Sequence, residues 1–235
     1  MKPIYRSNGS YMCRIIASAP LLYFPFNEQS GLVAKNWGSL GIPADGSYTG
    51  VDLAAMSGPK GGLAPYFDGA NDFVSIYSAA LVAAFSGSAG TMMIWAKVYD
   101  ASIWTYATYR ILMIIKNDAS NWVDIDRTTA NNRIYVIYRA NGINSAPGIV
   151  VSTLDWFHIA LTWDAPNDIV RGYLNGVQQG ADINGLGVFS GTPDSRWCCI
   201  GAGSNTPTAV FNGYLAHAAL WDRALSPSEI LLLGQ

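Results

Sequence analysis

The chain has 235 residues, half of them hydrophobic and 13% charged, and its net charge is −2. That length suits one large β-sandwich with an ample core, and the absence of basic runs excludes the footprint of a nucleic-acid binder. No apolar run approaches the ~18 residues that span a bilayer, and so little charge leaves a surface that points to a partner.

Residues 1 to 20 fit a strand pattern poorly and are expected to form an N-terminal arm or an added edge strand. Ala17-Ser18-Ala19 resembles a cleavage site, but Arg14 and the polar run 6 to 10 leave no apolar core for a signal peptide. No signal peptide or membrane insertion is expected. Release on a virus particle by lysis remains a route to an extracellular setting.

From residue 21 onward short strands recur. They are predicted at 21–26, 63–67, 73–77, 91–99, 110–116, 122–128, 133–140, 156–163, 170–175, 197–201 and 214–221, with Gly, Asn, Asp, Ser and Pro in the gaps. Residues 36 to 62 read as long loops. No long stretch shows a helical period, so the fold class is all-β, an antiparallel two-sheet sandwich. Residues 21–235 form one domain.

Three segments are more telling than the rest. Around Trp122-Val123-Asp124-Ile125-Asp126, alternation puts Trp122, Asp124 and Asp126 on one face. If residues 129–132 turn the chain, Asp126 opposes Tyr135 and Trp122 opposes Arg139. The strand from Trp156 to Trp163 sends Phe157, Ile159, Leu161 and Trp163 one way and Trp156, His158, Ala160 and Thr162 the other, and Asn175-Gly176 signals a hairpin. Near the end, Ser226-Pro227-Ser228-Glu229 forms a capping box that starts one short C-terminal helix.

Few residues offer chemistry. Cys198 and Cys199 are adjacent and lack metal-ligand spacing, so with Cys13 they are expected as small hydrophobes. His158 and His217 lie in strand patterns and read as packed, hydrogen-bonded side chains. Only two Glu are present, Glu28 and Glu229, and neither forms the carboxylate pair a glycosidase needs. Asp124 and Asp126, about 6–7 Å apart along a strand, satisfy that need on distance alone.

The face carrying Trp122, Asp124, Asp126, Tyr135 and Arg139 mixes aromatic planes with charge, as sugar binding requires, though the same pattern also marks ordinary cross-strand pairing on a solvated sheet face. Trp104 and Tyr106, in a connection between strands, are a second aromatic candidate for a glycan or a protein partner. Asp68, Asn71 and Asp72 place oxygen donors in a tight loop that suits Ca²⁺, though the same residues also make ordinary turns.

Leu22-Tyr23-Phe24-Pro25-Phe26-Asn27, Phe67-Asp68-Gly69-Ala70-Asn71-Asp72-Phe73-Val74, the stretch 156 to 176, and Gly213-Tyr214-Leu215 through Trp221-Asp222-Arg223 to Ile230 follow one another in the order of a known family. In these segments the chain resembles the concanavalin A-like lectin/glucanase superfamily, in its laminin-G-like branch. The resemblance implies a jelly roll whose members bind glycans or proteins and in some cases hydrolyse glycans. At Ala216 and His217 the chain lacks the acidic residue often found there, which weakens a calcium site using that position. The expectation is a non-catalytic recognition or assembly module. A decorating subunit of a bacteriophage virion is favoured, in a homo-oligomer contacting neighbouring subunits and glycans, with a free-standing lectin as the alternative.

Overall fold

The computed structural model describes residues 8–128 and 132–235. Alternating apolar and polar positions become strands. In the first half these are β1 (Leu22–Phe24), β2 (Val33–Ala34), β3 (Gly46–Thr49), β4 (Asp52–Ser57), β5 (Leu63–Asp68), β6 (Phe73–Ser75), β7 (Ala89–Val98), β8 (Arg110–Lys116) and β9 (Trp122–Arg127). The second half contributes β10 (Arg133–Ala140), β11 (Ile143–Ser145), β12 (Gly148–Val150), β13 (Phe157–Asp164), β14 (Ile169–Leu174), β15 (Val177–Ile183), β16 (Cys198–Ile200) and β17 (Asn212–Trp221). Among the described residues three α-helices accompany them: α1 (Asn8–Ala17), α2 (Ala79–Ala84) and α3 (Pro227–Leu233).

The back sheet runs β15-β14-β13-β7-β17-β5-β4, with β1 also on β17. The front sheet runs β11-β10-β9-β8-β16-β6-β3-β2, with β12 also on β10. Neighbouring strands pair antiparallel. Phe157, Ile159, Leu161 and Trp163 from the back sheet meet Leu112, Met113, Val123, Ile125, Val136 and Tyr138 from the front sheet in one core. Trp163 is fully buried, and its indole N–H donates to the Gly87 carbonyl at 3.0 Å. This answers the cost of burying a polar tip with the large apolar body. The inward set on β13 is the one its alternation predicts.

The Asn175-Gly176 hairpin forms as expected, with φ of 49° and 83° at the two residues. The C-terminal capping box is also present: Ser226 accepts from the Glu229 N–H, and the Glu229 carboxylate accepts from the Ser226 N–H.

The N-terminal segment departs from expectation. Residues 8–17 form a helix instead of an arm or edge strand; residues 1–7 of that segment lie outside the described residues. Tyr11 and Ile15, one helical turn apart, are buried against Tyr23, Trp95, Trp221, Ile230 and Leu233 on the outer side of the back sheet. Tyr11 donates to the Leu233 carbonyl at 2.7 Å and accepts from the Trp95 indole N–H at 2.7 Å. Arg14 donates to the Leu232 carbonyl, which ties the first helix to the last. An apolar outer face on this sheet needs a roof, and that need overrides the weak helical propensity of the segment.

Under this roof lie both histidines. His217 sits at φ 50° in a bulge of β17, with Nδ1 2.8 Å from the Tyr23 hydroxyl and Nε2 3.2 Å from the Pro59 carbonyl. A carbonyl only accepts, so Nε2 carries the proton and Nδ1 accepts from Tyr23. His158 places Nε2 3.3 Å from Met93 Sδ. Burial holds His217 at about 4 and His158 at about 3, with the Lys60 ammonium adding to the depression in both. Both are packed, neutral side chains. Cys198 and Cys199 are buried in the front sheet, whereas Cys13 is exposed.

Candidate functional site

The outer side of the front sheet has no helical roof among the described residues. Its central strands carry the side chains expected of a recognition surface. β9 pairs with β10 so that Trp122 opposes Arg139, Asp124 opposes Ile137, and Asp126 opposes Tyr135. On its other side β9 pairs with β8, where Trp122 opposes Lys116 and Asp124 opposes Ile114. β16 pairs with β8 in turn, with Cys198 opposite Ile115, which brings the preceding Trp197 beside Lys116.

The outcome is a row across four strands in which cations alternate with indoles. The Arg139 guanidinium carbon lies 4.6 Å from the Trp122 ring centre. The Lys116 ammonium lies 5.0 Å from Trp122 and 4.5 Å from Trp197, and the Arg196 guanidinium carbon lies 4.3 Å from Trp197. Each contact places a positive charge near a ring of negative face potential. The row borders a depression of about 320 Å³ that also takes in Tyr109, Asp124, Gly203 and Thr208.

Asp124 and Asp126 sit one and two rows away and are buried, contrary to the open, solvated face that alternation alone implies. Ile114 and Ile137 flank Asp124, and Tyr109 comes down over the pair from the connection before β8. The Tyr109 hydroxyl donates to Asp126 Oδ2 at 3.0 Å and lies 3.3 Å from Asp124 Oδ2, while Oδ1 of each carboxyl has no partner. Burial raises both: Asp126 is pushed up to about 7, and Asp124 stands well above the carboxylate range, with its neighbour Asp126 adding to the rise. The pair therefore presents much less negative charge to the depression than two ordinary aspartates would.

A bulge in β8 between Ile111 and Met113 sets the rows. It turns both Leu112 and Met113 into the core and Ile111 and Ile114 outward.

The structure thus brings Trp122, Asp124, Asp126, Tyr135 and Arg139 together on one face. Trp104 does not join them. It lies in a short 3-10 turn and packs into the core, its ring tilted against Phe157 at 6.0 Å, with its indole N–H on the Thr153 carbonyl. At 6% exposure it offers no contact surface. Tyr106 is half exposed on the same connection but does not line the depression. Lys116 and Trp197 were missed by sequence reasoning, since they lie 81 positions apart in the chain.

The residues of the calcium candidate build a turn. Asp68 Oδ1 accepts from the Ala70 and Asn71 N–H groups, and Asp72 Oδ2 accepts from the Asp68 N–H. Asp72 is buried, and its Oδ1 lies 2.2 Å from where a Cβ on Gly50 would stand, at φ 75°. Asp68 Oδ1 and Asp72 Oδ2 thus face backbone donors; among the described residues no group of three or more His, Cys, Asp or Glu is arranged to hold a metal.

Two stacked antiparallel sheets with an aromatic, charged outer face define a lectin-like jelly roll. The family model Laminin_G_3, of the concanavalin A-like lectin/glucanases superfamily, matches residues 83–231, and the chain belongs to that family. A stretch of 95 residues is 31% identical to human (Homo sapiens) neuronal pentraxin-1, covering 36% of this chain and 21% of that protein. The match therefore spans about a fifth of that relative's length.

Among solved structures, domain 4 of AbnA is similar with a TM-score of 0.63 at 18% identity, over 92% of this chain and 98% of that one. AbnA is an extracellular arabinanase of Geobacillus stearothermophilus, and this domain was solved with arabinotriose. The binding domain of botulinum neurotoxin serotype D is similar with a TM-score of 0.65 at 15% identity, over 94% of this chain and 52% of that one. At these identities the likeness is one of fold.

Proposed function

We propose that the chain is a non-catalytic glycan-binding module whose contact surface is the outer face of the front sheet around Trp122, Lys116 and Trp197. The observation that carries this reading is the row of half-buried indoles and cations at the mouth of a 320 Å³ depression. Sugars require apolar flanks for their C–H faces and several fixed donors and acceptors for their hydroxyls. The indole edges and the Tyr109 ring supply the first; Lys116 and Arg139 supply donors for the second. The arabinotriose bound to the similar domain of AbnA supports the reading.

Two observations favour binding over hydrolysis. Both glutamates are engaged in holding the fold, Glu28 by the Tyr48 hydroxyl and the Lys35 N–H and Glu229 in the helix cap. Asp124 and Asp126 lie beneath Tyr109 with 1% and 0% exposure, out of reach of a glycosidic oxygen. A decorating subunit of a bacteriophage virion, assembled as a homo-oligomer at a particle surface, is the setting we favour, supported by the low charge fraction of 13%. Such a subunit presents the same face outward.

A glycan array probed with the intact chain and with Trp122→Ala tests the binding reading. Defined sugars retained by the first and lost by the second support it. No retained sugar, or identical profiles for both, overturns it.

A further inference from the structure

We infer that α1 is an acid-released lid: protonation of His158 and His217 favours a state in which the helix has lifted from the back sheet while the sandwich beneath it stays folded. Both rings lie under the helix. The Tyr11 ring stands edge-on to His217, with 4.9 Å between centres. His158 lies 5.4 Å from Trp95, whose indole N–H donates to the Tyr11 hydroxyl. His217 Nδ1 is occupied as an acceptor by the Tyr23 hydroxyl, and His158 Nδ1 is buried with no partner. A proton added to either ring therefore finds no acceptor in place, and a buried charge without one is costly.

The groups packed around the rings offer no counter-charge. α1 contributes Tyr11, Cys13 and Arg14, β1 contributes Tyr23, and β14 contributes Tyr173. The turn after β4 contributes Lys60, whose ammonium lies 4.8 Å from the Trp95 ring centre. α3 contributes only Ile230 and Leu233, since Glu229 is turned to Arg223. The charges that act on the rings are cationic: Lys60 on both, and His217 on His158. An imidazolium here must reach water. Tyr11, Tyr23, Met93 and Trp95, on which the rings pack, belong to the outer cluster and not to the core between the sheets. α1 is held over them by two buried side chains and a few hydrogen bonds, and a helix of 10 residues is marginal alone. Lifting it is the smallest opening that brings water to the rings.

Hydrogen exchange of the intact chain, read by mass spectrometry at about pH 7 and about pH 5 and corrected for the chemical rate, tests this. Protection of α1 is expected to fall about tenfold or more on acidification for each histidine released, because a ring returning to an ordinary value near 6.5 gains up to about tenfold per pH unit. The front-sheet strand β9 is expected to keep its protection. Joint replacement His158→Gln and His217→Asn is expected to remove the pH dependence of α1; Asn tolerates the positive φ at position 217. Where that double variant does not fold, Lys60→Met keeps both rings and removes the cation, and it is expected to retain more α1 protection at the lower pH than the parent. Equal α1 protection at the two pH values overturns the lid, as does loss of protection in α1 and β9 together. A folded double variant that still releases α1 with acid, or a Lys60→Met chain that releases it as the parent does, overturns it too.

Discussion

Trp122 stands directly across the β9–β10 ladder from Arg139, and the guanidinium carbon lies 4.6 Å from the indole centre. Lys116 occupies the matching position on the other neighbouring strand. Trp122 is thus the hinge of the whole row, touching both cations while remaining only half buried.

Replacement of Trp122 by Ala should separate function from fold. Two cation–π contacts and part of an exposed ring are lost, a cost of about 1–2 kcal/mol. Urea unfolding should show that modest change, while titration of a bound glycan should show a loss of tenfold or more. A variant that unfolds cooperatively and binds as before would remove Trp122 from the site.

The buried aspartates set a pH dependence of stability with a definite sign. A carboxyl held at about 7 in the folded chain and near 3.9 in the unfolded one stabilises fully below pH 3.9 and loses that stability as pH rises through 7. Asp126→Asn removes this falling limb. The variant should be more stable than the parent at pH 8 by up to a few kcal/mol and little changed at pH 4. Urea midpoints at the two pH values decide this; a variant less stable at pH 8 would show that Asp126 is held ionised.

The histidines act in the opposite sense. Their folded values of about 4 and about 3 lie below the ordinary 6.5, so their contribution is complete above pH 6.5 and is lost as pH falls through the folded values. Each contributes a slope of about 1.4 kcal/mol per pH unit in that window. Between pH 4 and 6.5 the aspartates and histidines oppose each other, so the parent chain should show a shallow profile there. In Asp126→Asn the acid loss should steepen by about one such slope. A profile of unchanged shape would mean that these groups do not titrate as their burial requires.

Removal of residues 1–18 should uncover Tyr23, Trp95 and Trp221, which α1 now roofs. Losing the buried Tyr11 and Ile15 side chains costs about 3–5 kcal/mol, and the bared face should promote self-association. Sedimentation and thermal unfolding of the truncated chain test this. A monomer with unchanged stability would show that the roof is dispensable.

Much of this architecture was legible from periodicity. The inward set of β13, the Asn175-Gly176 hairpin, the capping box at Ser226 and the pairing of Trp122 with Arg139 all follow from local rules of alternation and turn chemistry. What was not legible arises from long-range placement. α1 is short, its apolar signal is confined to Tyr11, Met12, Ile15 and Ile16, and its helicity depends on a sheet face contributed by distant segments. Trp197 reaches Lys116 only through the β8–β16 pairing, for which neither segment carries a turn signal. Trp104 read as a surface aromatic because a tight 3-10 turn, invisible in composition, folds it between the sheets. Asp124 and Asp126 read as solvated because the Tyr109 that covers them comes from a connection whose path alternation does not specify.

The two terminal helices lie together on the back of the sandwich, and the cation–indole row lies on the front. A tether joined after Gln235 would therefore leave from the side remote from Trp122. Anchored to a larger body by that end, the domain would hold its cation–indole face toward the surroundings, and many copies arrayed on one support would present that face together without any of them having to turn around.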